Sequence, residues 1–156
     1  MKDLRGAGVT RSVSVEIAAS PEEVYAFVSD VANLGSLGPE NEECWWVTPG
    51  EHFRGRNRLG DFVWETDSFV VAAEPGVRFA FEVNEQRYIL WSYDLSPTAT
   101  GTRLTHWFEI RHLGEAYAQI PDDVLPVRWQ NMEDGMAAVL QGIKQRVEAA
   151  REVQPA

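Results

Sequence analysis

Pro126-Val127-Arg128-Trp129-Gln130-Asn131-Met132-Glu133-Asp134-Gly135-Met136-Ala137-Ala138-Val139-Leu140-Gln141-Gly142-Ile143-Lys144-Gln145-Arg146-Val147-Glu148-Ala149-Ala150 is the stretch whose reading decides the fold. Its apolar residues at 129, 132, 136, 139/140, 143 and 147 recur at steps of three and four, the spacing of one face of an α-helix. Pro126 suits the first turn, where no backbone N–H is required. At about 1.5 Å per residue such a helix is roughly 35 Å long, enough to cross a small domain. A long helix with one apolar face needs a surface to cover, and almost everything upstream reads as short strands.

Val9, Val13, Val15 and Ile17 alternate with polar residues, a half-buried strand with odd positions inward. Ser20-Pro21-Glu22-Glu23 then combines an N-cap, a proline at the first helical position and a capping-box glutamate. The helix that follows buries Val24, Phe27, Val28 and Val31, and ends in the loop or broken second helix of Asn33–Glu42. Cys44–Thr48 reads as a strand. Phe53–Leu59 and Phe62–Ala73 flank Gly60-Asp61, a two-residue hairpin loop that makes paired residue numbers sum to 121. Asn57 then faces Trp64, and Gly55 faces Thr66. Arg56 faces Glu65 and Arg54 faces Asp67, so opposite charges share the outer face. Three more strands follow, carrying Phe79-Phe81-Val83, Ile89-Trp91-Tyr93-Leu95 and Leu104-His106-Phe108-Ile110 on their inner rows. Consecutive strands joined by short turns make an antiparallel meander. The expected fold is α+β: a curved antiparallel sheet of about seven strands wrapped around the long C-terminal helix, with one or two short helices after strand 1.

A chain of 156 residues is read as one domain over 9–150, with flexible ends at 1–8 and 151–156. The net charge of −10 argues against nucleic acid and against an anionic membrane surface. Cys44 is the single cysteine, which rules out an intramolecular disulfide and fits a reducing cytoplasm. There is no apolar leader and no 18-residue apolar run, so neither a secretory signal nor a membrane span is expected. His52, His106 and His112 are too dispersed to chelate one ion, and the usual nucleotide, metal and nucleophile motifs are lacking. No metal and no cofactor is expected.

The inner rows form a concave apolar surface interrupted by Asn57, Thr66, Ser68, Tyr93 and His106. A few polar groups on an apolar concave wall are what small-molecule sites look like, while a solid core with satisfied polar atoms is the bland alternative. His106 can be an acid/base, a hydrogen-bond partner of a ligand, or a satisfied core histidine. Tyr93 can donate a proton or orient a carbonyl, or be core with a wet tip. Asn57 and Thr66 are placed to bond ligand oxygens. Trp64, Phe79, Phe81, Trp91, Phe108, Trp129, Met132 and Met136 are the expected apolar lining. On the helix, the Trp129–Met136 half should lie by the cavity and the Ile143–Val147 half should pack as core.

The chain resembles the START-like or helix-grip (SRPBCC) superfamily, in its bacterial polyketide cyclase/dehydrase branch. The resemblance spans about Val9–Glu148. It rests on Ala19-Ser20-Pro21-Glu22-Glu23-Val24-Tyr25, Phe53-Arg54-Gly55-Arg56-Asn57-Arg58, Trp64-Glu65-Thr66 and Glu74-Pro75-Gly76-Val77-Arg78-Phe79-Ala80-Phe81. It rests further on Trp91-Ser92-Tyr93-Asp94-Leu95-Ser96-Pro97, Gly101-Thr102-Arg103-Leu104-Thr105 and the helix from Gly135 to Leu140. Similar sequences tend to read Gly-Glu-Trp-Ser-Pro-Glu after the first helix; here Gly35-Ser36-Leu37-Gly38-Pro39-Glu40 has Leu37 for the tryptophan and Gly38 for the serine, which implies a differently shaped cavity mouth. Cyclases of this fold orient a poly-β-ketone with Arg, Tyr and His groups, and Arg128 is the candidate for the arginine.

What the resemblance implies is a helix-grip protein, monomer or homodimer, that binds a hydrophobic, partly oxygenated small molecule such as a polyketide, lipid or aromatic metabolite. Its catalytic form would be a polyketide cyclase or dehydratase using His106 and Tyr93. The first alternative is a non-catalytic carrier or sensor. The second is a protein-interaction module with a filled core, for which the largest cavity should fall below roughly 300 Å³ and His112–Pro126 should be a partner loop instead of a lid.

Overall fold

The computed structural model describes residues 3–114 and 119–153. The expected lid, His112–Pro126, therefore lies partly outside the described residues, as do residues 1–2 and 154–156 of the expected flexible ends. Seven strands, β1 (Thr10–Ile17), β2 (Asn41–Thr48), β3 (His52–Leu59), β4 (Phe62–Glu74), β5 (Arg78–Val83), β6 (Ile89–Thr98) and β7 (Gly101–Ile110), form one antiparallel sheet. Its order is β1-β7-β6-β5-β4-β3-β2. The chain thus crosses from one edge to the other after β1 and meanders back. Helix α1 (Pro21–Val28) and a 3-10 turn (Val31–Asn33) fill the crossover, and helix α2 (Leu125–Val153) follows the sheet.

Local chemistry explains the boundaries. Ser20 caps α1 by accepting from Glu23 N, with Pro21 at the first helical position, so four residues predict the start. The helix stops at Val28, and the chain breaks into the 3-10 turn that buries Val31. α2 begins at Leu125, with Pro126 in its first turn, and continues to Val153, into the segment expected to be a tail.

The β3–β4 register is the one the two-residue loop dictates: Asn57 pairs with Trp64, Arg56 with Glu65, Gly55 with Thr66 and Arg54 with Asp67. Gly60 takes the positive φ of 63° that such a turn needs. Charge pairing on the outer face differs in one respect. Arg54 lies near both Glu65 and Asp67, but Arg56 turns to Glu42 and Glu43 on β2, at 3.1 Å each. A neighbouring edge strand with two adjacent carboxylates offers that arginine more charge than the single one across the hairpin. A second difference is a bulge between Val70 and Ala72 in the pairing with β5. One extra residue reverses the side-chain alternation, so Ala72 is opposite Ala80 on the outer row although the alternation from Thr66 and Ser68 would place it inward.

The inner face carries two apolar clusters. One gathers α1, Leu34, Phe53, Phe79, Leu95, Leu104 and the Leu140–Val147 half of α2. The other gathers Val83, Ile89, Phe108, Ile110, Leu113 and the Leu125–Met136 half. The far half of α2 is also tied to β1: Lys144 Nζ donates to Glu16 O at 2.7 Å and Glu148 accepts from Ala18 N at 2.9 Å. Residues 3–8 brace the other end. Asp3 bridges Leu113, Arg5 donates to Ile120 O and Asp122, and Gly6 lies against the Trp129 ring.

Candidate ligand cavity between the sheet and the long helix

A cavity of about 210 Å³ lies between the two apolar clusters and takes walls from both. Its floor comes from the inner rows of β3 to β7, its roof from one face of α2, and its rim from the loop of residues 34–41. The exposed members of the lining, Pro39 and Asn131, mark the mouth.

Of the residues singled out in the sequence, Asn57, Trp64, Thr66, Phe81, Trp91, Tyr93, His106, Met132 and Met136 line this cavity together, and Ser68 with them. Phe79, Phe108 and Trp129 are not in the lining. Phe79 is buried in the cluster under α1, at the end of the concave face that side chains fill. Phe108 packs between Trp91 and Trp129. Trp129 is drawn away from the cavity by Phe108 on one side and Gly6 on the other, where a Cβ would stand 2.7 Å from the indole. The helix face towards the cavity is therefore Arg128, Asn131, Met132, Gly135, Met136 and Val139, one notch round from the stripe that packs as core.

Several lining groups were not selected from the sequence, among them Glu40, Asn41, Cys44 and Gly55. Glu40 receives the Arg128 guanidinium in a two-pronged ion pair, one leg of it 3.0 Å, which ties the loop to the start of α2 at the mouth. Gly38 belongs to the same contact, since a Cβ there would stand 2.9 Å from Val139 Cγ2. Farther in, a polar chain runs along one wall. The Cys44 thiol donates to Asn41 Oδ1 at 3.2 Å, Asn41 Nδ2 donates to Asn57 Oδ1 at 3.1 Å, and Asn57 Nδ2 reaches Thr66 Oγ1 at 3.4 Å. Gly55 makes room for it: an added Cβ would sit 3.1 Å from Asn41 Nδ2 and 3.5 Å from Thr66 Oγ1. Asn57 and Thr66 were named from strand alternation; for the rest of this wall the parity of Gly55 and the Asn/Cys content of β2 were the only hints. Burial pushes the Cys44 thiol up to about 11, so it is a neutral donor and not a nucleophile.

The opposite wall is a ladder of rings. Tyr93 and His106 are cross-strand partners whose rings stack in parallel, with centroids 3.9 Å apart and 3° between planes. Trp91 also stacks against the imidazole, with centroids 5.4 Å apart and 30° between planes. His106 Nδ1 lies 2.9 Å from the Ser92 carbonyl oxygen. A carbonyl only accepts, so Nδ1 carries the proton and donates, and Nε2 presents a bare lone pair. Burial pushes this histidine down to about 4 and raises the Tyr93 phenol well above its ordinary range. Both are therefore neutral near pH 7. As acid and base they stand far from the neutral range that favours proton transfer; as hydrogen-bonding groups they are ready. Among the described residues, His106 Nε2, the Tyr93 hydroxyl and the Ser68 hydroxyl have no protein hydrogen-bond partner, and none is sealed away from the cavity. Also among the described residues, no group of three or more His, Cys, Asp or Glu converges in a way that could hold a metal ion, and no helix is long and apolar enough to cross a membrane.

A strongly curved antiparallel sheet gripping a C-terminal helix, with a lined cavity between them, defines the class as a helix-grip, START-like protein. The chain belongs to the family described as polyketide cyclase / dehydrase and lipid transport, which it matches over residues 9–148. Among solved structures, it is similar to a polyketide-cyclase-like protein from Corynebacterium glutamicum, with 30% identity, 93% of this chain and 94% of that one covered, and a TM-score of 0.61. A START superfamily protein from Mycobacterium smegmatis shares the fold at 16% identity, 90% and 98% coverage and TM-score 0.71. So does the di-domain ARO/CYC StfQ of the steffimycin biosynthetic pathway, at 14% identity and TM-score 0.76, with 96% of this chain covered and 53% of that one. No curated protein matches the chain.

Proposed function

We propose that this protein binds a hydrophobic, partly oxygenated small molecule in the cavity between its sheet and α2, and that His106, Tyr93, Asn57, Thr66 and Ser68 meet the ligand's polar atoms. The observation that carries the reading is the set of polar atoms left without protein partners on an otherwise apolar wall. Buried polar groups are nearly always satisfied, and leaving one unpaired costs roughly 1–3 kcal/mol. Three together are accounted for by a guest, or water, that completes them. The volume of about 210 Å³ falls under the usual range for drug-sized ligands. It also falls under the roughly 300 Å³ expected of an interaction module with a filled core, but it is larger than an apolar cavity of about 150 Å³ that holds benzene, and the unpartnered polar atoms favour a ligand. Native mass spectrometry of freshly purified protein tests this reading. The protein should carry an organic molecule or take one up from a panel of oxygenated arenes and lipids, and Ser68→Phe, which fills the cavity, should not. Protein that takes up no member of the panel would count against it.

A catalytic reading, cyclisation or dehydration of a polyketide-like substrate, is favoured by the fixed tautomer of His106, whose Nε2 can take a proton from a bound substrate. The acidities of His106 and Tyr93 favour the carrier or sensor over the enzyme. If the protein is an enzyme, most of its rate comes from holding a flexible substrate in one folded geometry. His106→Ala should then abolish turnover of a bound polyketide analogue while the protein stays folded; unchanged turnover would remove His106 from the chemistry.

A further inference from the structure

We infer that the cavity selects a neutral hydroxyarene of one or two rings: a molecule with a hydroxyl donor for His106 Nε2, a flat face for the Trp91–His106–Tyr93 ladder, and no charge. The inference rests on the binding reading above and narrows it to a chemical class.

Three features of the site carry it. The first is polarity of a definite sign. Because Nδ1 is committed to Ser92 O, His106 can only accept at Nε2, and a guest whose oxygens are all carbonyls or ethers leaves that lone pair unmet. Tyr93 beside it can donate or accept, so a phenolic hydroxyl bonded to His106 can take a second bond from Tyr93. The second is charge. The Arg128–Glu40 pair at the mouth satisfies itself, and among the described residues the remaining ionisable lining groups are Cys44, Tyr88, Tyr93 and His106. A carboxylate or ammonium brought inside would meet no unpaired opposite charge among the described residues, and a buried unpaired charge is strongly disfavoured. The third is size and shape. A cavity of about 210 Å³ takes one or two fused rings, given that about 150 Å³ holds a single benzene. The aromatic side chains of the wall also favour an aromatic guest. Extended poly-β-ketones and acyl chains do not fit the volume.

The test is isothermal titration of the full chain with five probes. These are 2-naphthol, naphthalene (no polar atom), 1-tetralone (acceptor only), 2-naphthoate (charged) and dodecanoate (a charged acyl chain). 2-Naphthol should bind at least about tenfold tighter than naphthalene or 1-tetralone, the usual effect of leaving one buried polar group unpaired. Both carboxylates should bind more weakly still. His106→Phe keeps the ring stack and deletes the acceptor, and should weaken 2-naphthol about tenfold while leaving naphthalene unchanged. Should that variant not fold, Tyr93→Phe, which removes only one hydroxyl, should weaken 2-naphthol several-fold and leave naphthalene unchanged. Equal binding of 2-naphthol and 1-tetralone, or tighter binding of dodecanoate, overturns this inference while leaving a small-molecule cavity in place. No binding of any probe overturns the inference, and if the broader panel also fails, it takes the binding reading with it.

Discussion

His106 is a residue whose position costs stability in acid. In the unfolded chain a histidine titrates near its ordinary value of about 6.5, and in the fold burial pushes it down to about 4. Between these values the unfolded chain holds a proton that the folded one does not, so folding stability rises with pH through that window. The contribution is complete above about pH 6.5 and is lost as the pH falls towards 4, amounting to roughly 3 kcal/mol. Urea unfolding at pH 7 and at pH 4.5 should show this loss in the wild type and a much flatter profile in His106→Phe; parallel profiles would show that the imidazole is not desolvated. The sequence revealed the residue but not this state. An inner-row histidine among apolar neighbours is visible from alternation alone. Which ring nitrogen is free depends on Ser92 O, a backbone atom on the adjacent strand. Ser68 likewise appeared as one inner hydroxyl among several. Its lack of a partner became visible only once every neighbour was in place.

Elements differ in how much neighbouring backbone they can absorb, and two glycines separate the cases. A Cβ at Gly101, the first residue of β7, would lie 2.1 Å from Ile17 O and 3.0 Å from Ala19 N. Those atoms are backbone, at the crossing where the buried Thr102 Oγ1 also donates to Ala19 O at 2.7 Å. Gly101→Ala should therefore destabilise the protein by about 3 kcal/mol or more; a loss under about 1 kcal/mol would mean that the β1 end yields. In α2 a Cβ at Gly142 would also be close to a neighbour, 2.9 Å from Leu37 Cδ2. That atom ends a flexible side chain on the rim loop, and alanine is worth about 1 kcal/mol over glycine inside a helix. Gly142→Ala should be neutral or mildly stabilising in the same unfolding experiment, and a loss above about 1 kcal/mol would show a rigid rim loop. At this scale the sequence was most legible where a turn fixes geometry. The two-residue loop at Gly60-Asp61 set the whole β3–β4 register, and Ser20-Pro21 set the start of α1. The bulge after Val70 was illegible because one additional residue in a strand leaves no periodic or compositional trace. Trp129 was misplaced because helical spacing names a face. It does not say which part of that face meets a cavity and which meets Phe108 and Gly6.

For the whole molecule, the fold follows from one long amphipathic helix and a meander, both plain in the pattern of apolar residues. The cavity follows from what the helix and sheet do not fill. Its boundary is set by shape, by Gly55 on the floor, Gly135 on the roof and the Arg128–Glu40 pair at the mouth, and shape is what a single sequence states least directly. Membership in a family described by polyketide cyclase / dehydrase and lipid transport leaves the chemistry open, because one fold hosts many sites. The central claim is that a small hydrophobic molecule enters between the sheet and the first half of α2. The chain has three methionines, and Met132 and Met136 both line that space. Spectra of protein labelled with ¹³C at the methionine methyls, assigned with Met132→Leu and Met136→Leu and recorded while 2-naphthol and a panel of oxygenated arenes are titrated in, read the claim directly. Both the Met132 and Met136 methyl resonances should shift saturably with at least one ligand; binding that leaves both in place would contradict a site under the first half of α2.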